Sequence, residues 1–342
     1  MKKAMLWNVL EDTLVQCVLC AHRCRIPQGR RGICEVRENR EGILYSLVYG
    51  RVIAQAVDPI EKKPLFHFHP GSRSYSIATV GCNFRCTFCQ NADISQAVRG
   101  DRGIMGRDTT AEQVVAAAQE AACTSIANTY TEPTMFFEFS YEIGRLAHER
   151  GIANVYVSNG YMTPEMLDLM APADGQNILD AANIDLKAFT DAFYREQCGA
   201  RLQPVLDALK LLKARGVWLE VTTLIIPGLN DSDTELGEIA TFIAQELSPD
   251  TPWHVSRFHP TFRLTDRPST PVNTVLRARE IGLEAGLHYV YAGNVPGQGG
   301  EDTLCPTCGA VAIQRTGFRE RHDGMSDGVC RSCGGTIAGV GL

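Results

Sequence analysis

The segment Gly81-Cys82-Asn83-Phe84-Arg85-Cys86-Thr87-Phe88-Cys89-Gln90-Asn91 places three thiols within eight positions. The nearest other cysteines, Cys34 and Cys123, lie far off in sequence. A cubane iron–sulfur cluster normally takes four thiolates. Three thiolates from one loop leave one iron open to an exogenous ligand, and an open iron is a place for chemistry. A cluster with thiolates on every iron mostly passes electrons. The competing reading is a zinc site completed by a distant fourth ligand.

The other cysteines are grouped as well. Of thirteen in the chain, four lie between positions 17 and 34, three in the loop above and four between 305 and 333. Disulfides are disfavoured in a reducing compartment, so metal binding is the economical account of these eleven. Cys305-Pro306-Thr307-Cys308-Gly309 and Cys330-Arg331-Ser332-Cys333-Gly334 are two knuckles separated by 21 residues. Their form points to structural zinc at Cys305, Cys308, Cys330 and Cys333, with rubredoxin-like iron as the competitor. So small a segment needs its metal to fold. Cys17, Cys20, Cys24 and Cys34 fit no single template, and we expect either zinc, which is preferred, or an auxiliary iron–sulfur cluster. Cys123 reads as a buried apolar residue. Cys198 reads as an inert thiol, with a radical relay as the alternative. His67 and His69 read as ordinary strand residues rather than metal ligands.

Composition narrows the partners. Hydrophobic residues are 44% and charged residues 21% of 342, ordinary for a globular enzyme. A net charge of -6 leaves no electrostatic footprint for nucleic acid or an anionic membrane. The basic tip at Met1-Lys2-Lys3 is followed by Asn8, Glu11 and Asp12, which argues against a secretory signal. No apolar run approaches the roughly 20 residues that span a bilayer. The expectation is a cytoplasmic chain with neither nucleic acid nor membrane as partner.

Short β-branched runs must position these groups. Strand candidates are 75–80, 125–130, 153–157, 182–186, 217–226 and 253–258, with a seventh possible at 287–291. Helix candidates lie between them at 109–122, 136–150, 202–215, 231–247 and 271–285. The first opens on a capping box read as Thr109-Thr110-Ala111-Glu112. Repeated β/α alternation implies parallel strands with right-handed crossovers, hence a partial α/β barrel; a doubly wound sheet shares the pattern. The expected divisions are a Cys-rich region over 1–65, the barrel over 66–296 and a zinc-ribbon-like domain over 297–342, with a Gly-rich linker at 293–303. In such architectures ligand sites sit at the carboxyl ends of strands. The three-cysteine loop, Thr131-Glu132-Pro133, Ser158-Asn159-Gly160, Asp185-Leu186-Lys187 and His259-Pro260 all fall there.

The Cys-x3-Cys-x-Phe-Cys spacing resembles the signature of the radical S-adenosylmethionine (SAM) superfamily. That resemblance implies a partial (β/α)6 barrel and a [4Fe-4S] cluster on Cys82, Cys86 and Cys89, whose open iron is chelated by the amino and carboxylate groups of SAM. It also implies an electron donor of flavodoxin or ferredoxin type. Glu132 then serves as acceptor for the SAM amine, and Lys187, in an Asp185-Leu186-Lys187 segment, as donor to its carboxylate. Ser158 or Asn159 holds the ribose, Phe88 lies near the adenine, and His259 meets SAM or substrate. The bland readings are a helix-entry carboxylate for Glu132, a surface lysine for Lys187, a turn for Ser158-Asn159-Gly160 and a solvent-facing His259.

Within the superfamily the chain resembles the glycyl-radical-enzyme activases. Thr131-Glu132-Pro133 is similar to their Gly-Gly-Glu-Pro segment, Val157-Ser158-Asn159-Gly160 to their Asp-Thr-Asn-Gly, and Asp185-Leu186-Lys187 to their Asp-Leu-Lys. Cys17–Cys24, Asp58–Leu65 and the terminal cysteine pairs resemble the AmmeMemoRadiSam-system enzymes, which are pyruvate formate-lyase activating-like. Gln90, Tyr130-Thr131 and Val157 depart from the activase pattern, so SAM cleavage is implied more directly than a glycyl-radical target. The substrate is a protein or a small molecule.

Overall fold

The β-branched runs become the parallel core of one mixed sheet. In the computed structural model, which describes residues 1–99, 103–295 and 300–342, this sheet contains β1 (Arg51–Pro59), β2 (Arg73–Thr79), β3 (Arg107–Asp108), β4 (Ser125–Asn128), β5 (Ala153–Ser158), β6 (Ala181–Asp185), β7 (Trp218–Ile225), β8 (Trp253–Arg257) and β9 (Val290–Gly293). The strand order is β9-β8-β7-β6-β5-β4-β2-β1-β3. Neighbours from β2 to β9 run parallel, whereas β1 is antiparallel to both β2 and β3. Every residue of β4 is buried, as a parallel strand covered on both faces must be. Among the described residues β9 and β3 do not pair with each other, so the sheet is open. The antiparallel addition was not expected: β1 alternates only weakly, and its register is broken by a bulge near Val52.

Helices α1 (Ala111–Glu120), α2 (Phe137–His148), α3 (Pro164–Met170), α4 (Gln203–Ala214), α5 (Asp233–Phe242) and α6 (Val272–Glu284) connect successive parallel strands. The first helix starts one residue later than expected. Thr109 N–H is committed to Gly50 O at 2.8 Å, so Thr110 becomes the cap and forms a reciprocal box with Gln113. Helix α3 was missed because it is only seven residues long; Thr163 caps it and Pro164 occupies its first turn.

The N-terminal segment adds two small sheets, one of Trp7–Glu11, Leu14–Cys17 and Arg25–Ile26, the other of Lys2–Lys3, Ile43–Ser46 and Arg37–Arg40. A buried ion pair anchors it. The Arg37 guanidinium donates to Glu138 of α2 at 3.0 and 2.6 Å, and both side chains are almost fully buried. Met5 N–H donates to the same carboxylate. Glu138→Ala strands a buried cation and is expected to cost about 3–5 kcal/mol in denaturant unfolding. A loss below about 1 kcal/mol would show that the pair does not anchor the segment.

The C-terminal segment carries strands Thr303–Leu304, Val311–Thr316 and Arg319–Arg321, then Met325–Ser326 paired with Val329–Cys330. Its cluster of Cys305, Ile313, Met325 and Cys330 packs with Phe66, Tyr289 and Tyr291. His67 joins the same contact, facing Ala338 O at 2.6 Å and Tyr291 Oη at 2.5 Å, and burial lowers its pKa to about 4. His67 is therefore a neutral packing residue in a loop, not on a strand as expected. Residues 296–299 of the Gly-rich linker, including the expected 296/297 boundary, lie outside the described residues. No described helix is long and apolar enough to cross a membrane.

Candidate active site

The three-cysteine loop leaves the end of β2 through Gly81, whose φ is +102°. A Cβ there would meet Val36 Cγ1 at 2.5 Å, so only glycine lets the loop press against the N-terminal segment. Phe84 anchors the loop from below, edge-on to Tyr161 and Tyr194 with ring centroids 5.1 and 6.3 Å away. Arg99 donates to Cys82 O at 2.8 Å and Phe84 O at 3.0 Å. On the far side Arg85 N–H donates to Cys198 O at 2.8 Å and Thr87 N–H to Gln197 O at 2.9 Å.

Each thiol has polar support. Phe84 N–H lies 3.3 Å and Asn159 Nδ2 3.8 Å from Cys82 Sγ, and Ser95 Oγ lies 3.2 Å from Cys89 Sγ. Cys86 faces Cys198, whose hydrogen bond, followed by the charge of Lys187, holds the Cys86 pKa below the usual thiol value. Burial, then the Glu132 charge and Cys86, push Cys82 well above it. A metal that takes its ligands as thiolates offsets such a penalty. Three thiols with N–H and O–H donors and a nearby cation fit an anionic iron–sulfur group.

Glu132 links the ends of two strands. It is 1% exposed. Its Oε1 accepts from Thr134 N–H at 3.0 Å, Thr134 Oγ1 at 2.6 Å and Ser158 Oγ at 2.8 Å, and its Oε2 accepts from Asn159 N–H at 2.9 Å. Burial raises its pKa against the pull of these donors. Glu132 also caps the turn Pro133–Phe136, so it is a helix-entry carboxylate and lies within the strand-end site at once. Asn159 then reaches the cysteine loop, donating from Nδ2 to Asn83 Oδ1 at 2.7 Å. A continuous chain of hydrogen bonds thus runs from β4 through β5 to Cys82.

Lys187 is not a surface lysine. Its Nζ lies 2.8 Å from Asp185 Oδ2 and 5.8 Å from the Phe88 ring centroid. Burial works against its charge, but Asp185, Cys86 and Cys198 hold its pKa well above normal. Phe88 is buried and packs on Phe193 at 5.8 Å. His259 stands apart: it is exposed, and its Nδ1 lies 3.0 Å from Ser269 Oγ. Of the expected residues, Glu132, Ser158 and Asn159 are gathered on the Cys82 side, and Asp185, Lys187 and Phe88 on the Cys86 side. Sequence reasoning missed Asn83, Ser95 and the partnership of Cys198 with Cys86. Asn83 and Ser95 sit in or beside the motif, but nothing in the spacing of Cys198 announces its place.

The C-terminal knuckles converge on a tetrahedron. The four sulfurs of Cys305, Cys308, Cys330 and Cys333 lie within 4.8 Å of one another, with Cys305–Cys333 at 3.6 Å and Cys308–Cys330 at 3.8 Å. Metal–sulfur bonds of about 2.3 Å give tetrahedral edges of about 3.8 Å, so these residues form a metal-binding group. Gly309 and Gly334, at φ +73° and +75°, close the knuckles. Cys330→Ser should remove one equivalent of metal by elemental analysis. It should also lower amide protection over 303–342 at least about tenfold, or about 1.4 kcal/mol. Unchanged metal content would refute the assignment.

Comparison with known proteins agrees with this geometry. Residues 76–243 match the profile of the radical SAM superfamily. The uncharacterized protein MJ0808 of Methanocaldococcus jannaschii is 45% identical over 339 residues, covering 98% of this chain and 99% of its own. MJ1632 of the same organism, named provisionally as a glycyl-radical enzyme activating enzyme, is 24% identical over 217 residues, covering 62% of this chain and 78% of its own. The crystal structure of a radical SAM methyltransferase from Sphaerobacter thermophilus overlays with a TM-score of 0.50 at 18% identity, over 66% of this chain and 67% of that one, a likeness of fold alone. With the profile spanning the strands that carry Cys82, Glu132, Ser158 and Lys187, the chain belongs to the radical SAM enzyme superfamily.

Proposed function

We propose that the protein cleaves SAM reductively at a [4Fe-4S] cluster held by Cys82, Cys86 and Cys89. When bound and reduced, that cluster supplies the electron that breaks the sulfonium C–S bond, giving methionine and a 5′-deoxyadenosyl radical that takes hydrogen from substrate. The supporting observation is the hydrogen-bonded chain from Glu132 through Asn159 and Asn83 to Cys82, which ties the acceptor for an amine to the cluster loop. Lys187, kept cationic beside Cys86, is the counterpart that favours negative charge on the other flank. Phe88 and His259 carry weaker roles in this reading, as a wall of the site and a rim contact for substrate. The electron comes from a flavodoxin- or ferredoxin-type donor, and the C-terminal quartet holds structural zinc.

The reaction class closest to hand is activation of a glycyl-radical enzyme, supported by Asp185-Leu186-Lys187 and by the name of MJ1632. One departure favours a different protein or small-molecule substrate. Tyr130 stands where the activases have glycine and keeps a left-handed φ of +62°. Its hydroxyl is bonded to Asp58, and Lys63 Nζ lies 4.6 Å over its ring. A bulky ring anchored at Asp58 and Lys63 therefore stands two residues before Glu132, where the activases have glycine.

The test is anaerobic reconstitution followed by dithionite and SAM, with chromatographic measurement of 5′-deoxyadenosine. Continued production is expected. A fully loaded cluster that yields none defeats the reading and leaves a metal-bearing scaffold. A glycyl EPR signal raised on a partner protein would select the activase branch.

A further inference from the structure

The N-terminal cysteines gather in one place, apart from the C-terminal quartet. Cys17, Cys20, Cys24 and Cys34 line one cavity together with Arg37 and Asn83. Cys17, Cys20 and Cys34 are buried. Among the described residues, the C-terminal quartet is the group whose ligand atoms approach within 4.8 Å of one another. A single zinc ion draws its sulfurs to about 3.8 Å, whereas a cube of irons and sulfides holds its thiolates farther apart.

Two further observations point to what fills it. Arg37 Nε and Asn83 Nδ2 are buried donors with no hydrogen-bond partner, and both residues are 1% exposed. Leaving an N–H so deeply buried without an acceptor forfeits its hydration with nothing in return. An anionic, sulfide-bearing group would accept from them, as hydrogen bonds to cluster sulfurs commonly do. The backbone is also shaped for ligation: Arg23 and Glu35, each adjacent to a cysteine, adopt left-handed φ of +44° and +61°. The strain of such non-glycine positions persists where surrounding structure demands it.

We propose that Cys17, Cys20, Cys24 and Cys34 bind a second iron–sulfur cluster of the [4Fe-4S] class, with a thiolate on every iron. So ligated it passes single electrons and does not bind SAM. It lies against the cysteine loop itself, since His22 Nε2 donates to Asn83 O at 3.0 Å, one residue from Cys82. The inference does not depend on the SAM-cleavage reading.

The decisive experiment is anaerobic reconstitution of the C82A/C86A/C89A variant with ferrous iron and sulfide. About four irons and four sulfides per chain should remain. The dithionite-reduced sample should give a cluster EPR signal that SAM leaves unchanged. Zinc without sulfide at this site, or a signal shifted by SAM, overturns the proposal. The reciprocal variant C20A/C34A covers the case of misfolding: in the otherwise intact chain, iron should fall from about eight to about four per chain. Iron that stays at the level of the intact chain overturns the proposal equally. If the intact chain and C82A/C86A/C89A carry the same four irons, the cluster at the active site is refuted while this one stands.

Discussion

Cys86→Ala is expected to abolish formation of 5′-deoxyadenosine, lowering it at least about a thousandfold, or about 4 kcal/mol of barrier. With only three thiols in the loop, loss of one leaves two ligands and a cluster that no longer stays bound. Cys86 also has the most complete surroundings of the three, with Cys198 and Lys187 favouring its thiolate. Cys198 is the one thiol placed to substitute for it, so C86A/C198A is the stricter version, and any residual activity of C86A should vanish there. The measurement is 5′-deoxyadenosine per chain, alongside iron content. Activity within tenfold of the intact protein in the double variant would show that the radical chemistry does not start at this loop.

Glu132 carries the second large effect. Glu132→Gln keeps the shape but replaces one carboxylate oxygen by an NH₂ group facing Ser158, Thr134 or Asn159, all of which donate in the native arrangement. SAM cleavage should fall by about a hundredfold or more, chiefly through weaker SAM binding, because the amine loses its anionic acceptor. Glu132→Ala should additionally destabilise the fold by about 3 kcal/mol, since several buried donors lose their acceptor together. The pH dependence has a definite sign. Burial raises the folded pKa of Glu132 above its ordinary 4.5, so the native state binds this proton more readily than the unfolded chain. Stability therefore falls as pH rises from about 4.5 through the raised native value, and Glu132→Gln removes that contribution. Equal SAM affinity in the Gln variant, by calorimetry on the reconstituted protein, would remove Glu132 from the SAM site.

How much was legible depends on the range of the interaction. The parallel strands were readable because each is a short apolar run, rich in β-branched or aromatic residues and closed by Gly, Asn or Pro; length and flanks, not period, distinguish it from a helix. Helix α3 was not, because seven residues give too few turns for a period to emerge. Thr109 was mistaken for a cap because its true partner, Gly50 O, lies far off in sequence, in the turn before β1. His67 was placed on a strand because Phe and His alternate there, whereas packing against Tyr291 and Ala338 holds it in a loop.

The chain by itself determined the three-cysteine loop, the paired C-terminal knuckles and the order in which polar signatures follow the strands. These are contacts between residues close in sequence, where covalent spacing sets which atoms can meet. Tertiary structure alone decided that Cys198 faces Cys86, that Asn159 reaches Asn83, that Arg37 pairs with Glu138 and that four early cysteines enclose a cavity beside the loop. Each of those joins residues far apart in sequence, the last by setting the early cysteine group against Asn83 of the loop. Their meeting is set by how strands and helices pack and by which buried donors must find acceptors, and no local pattern records that.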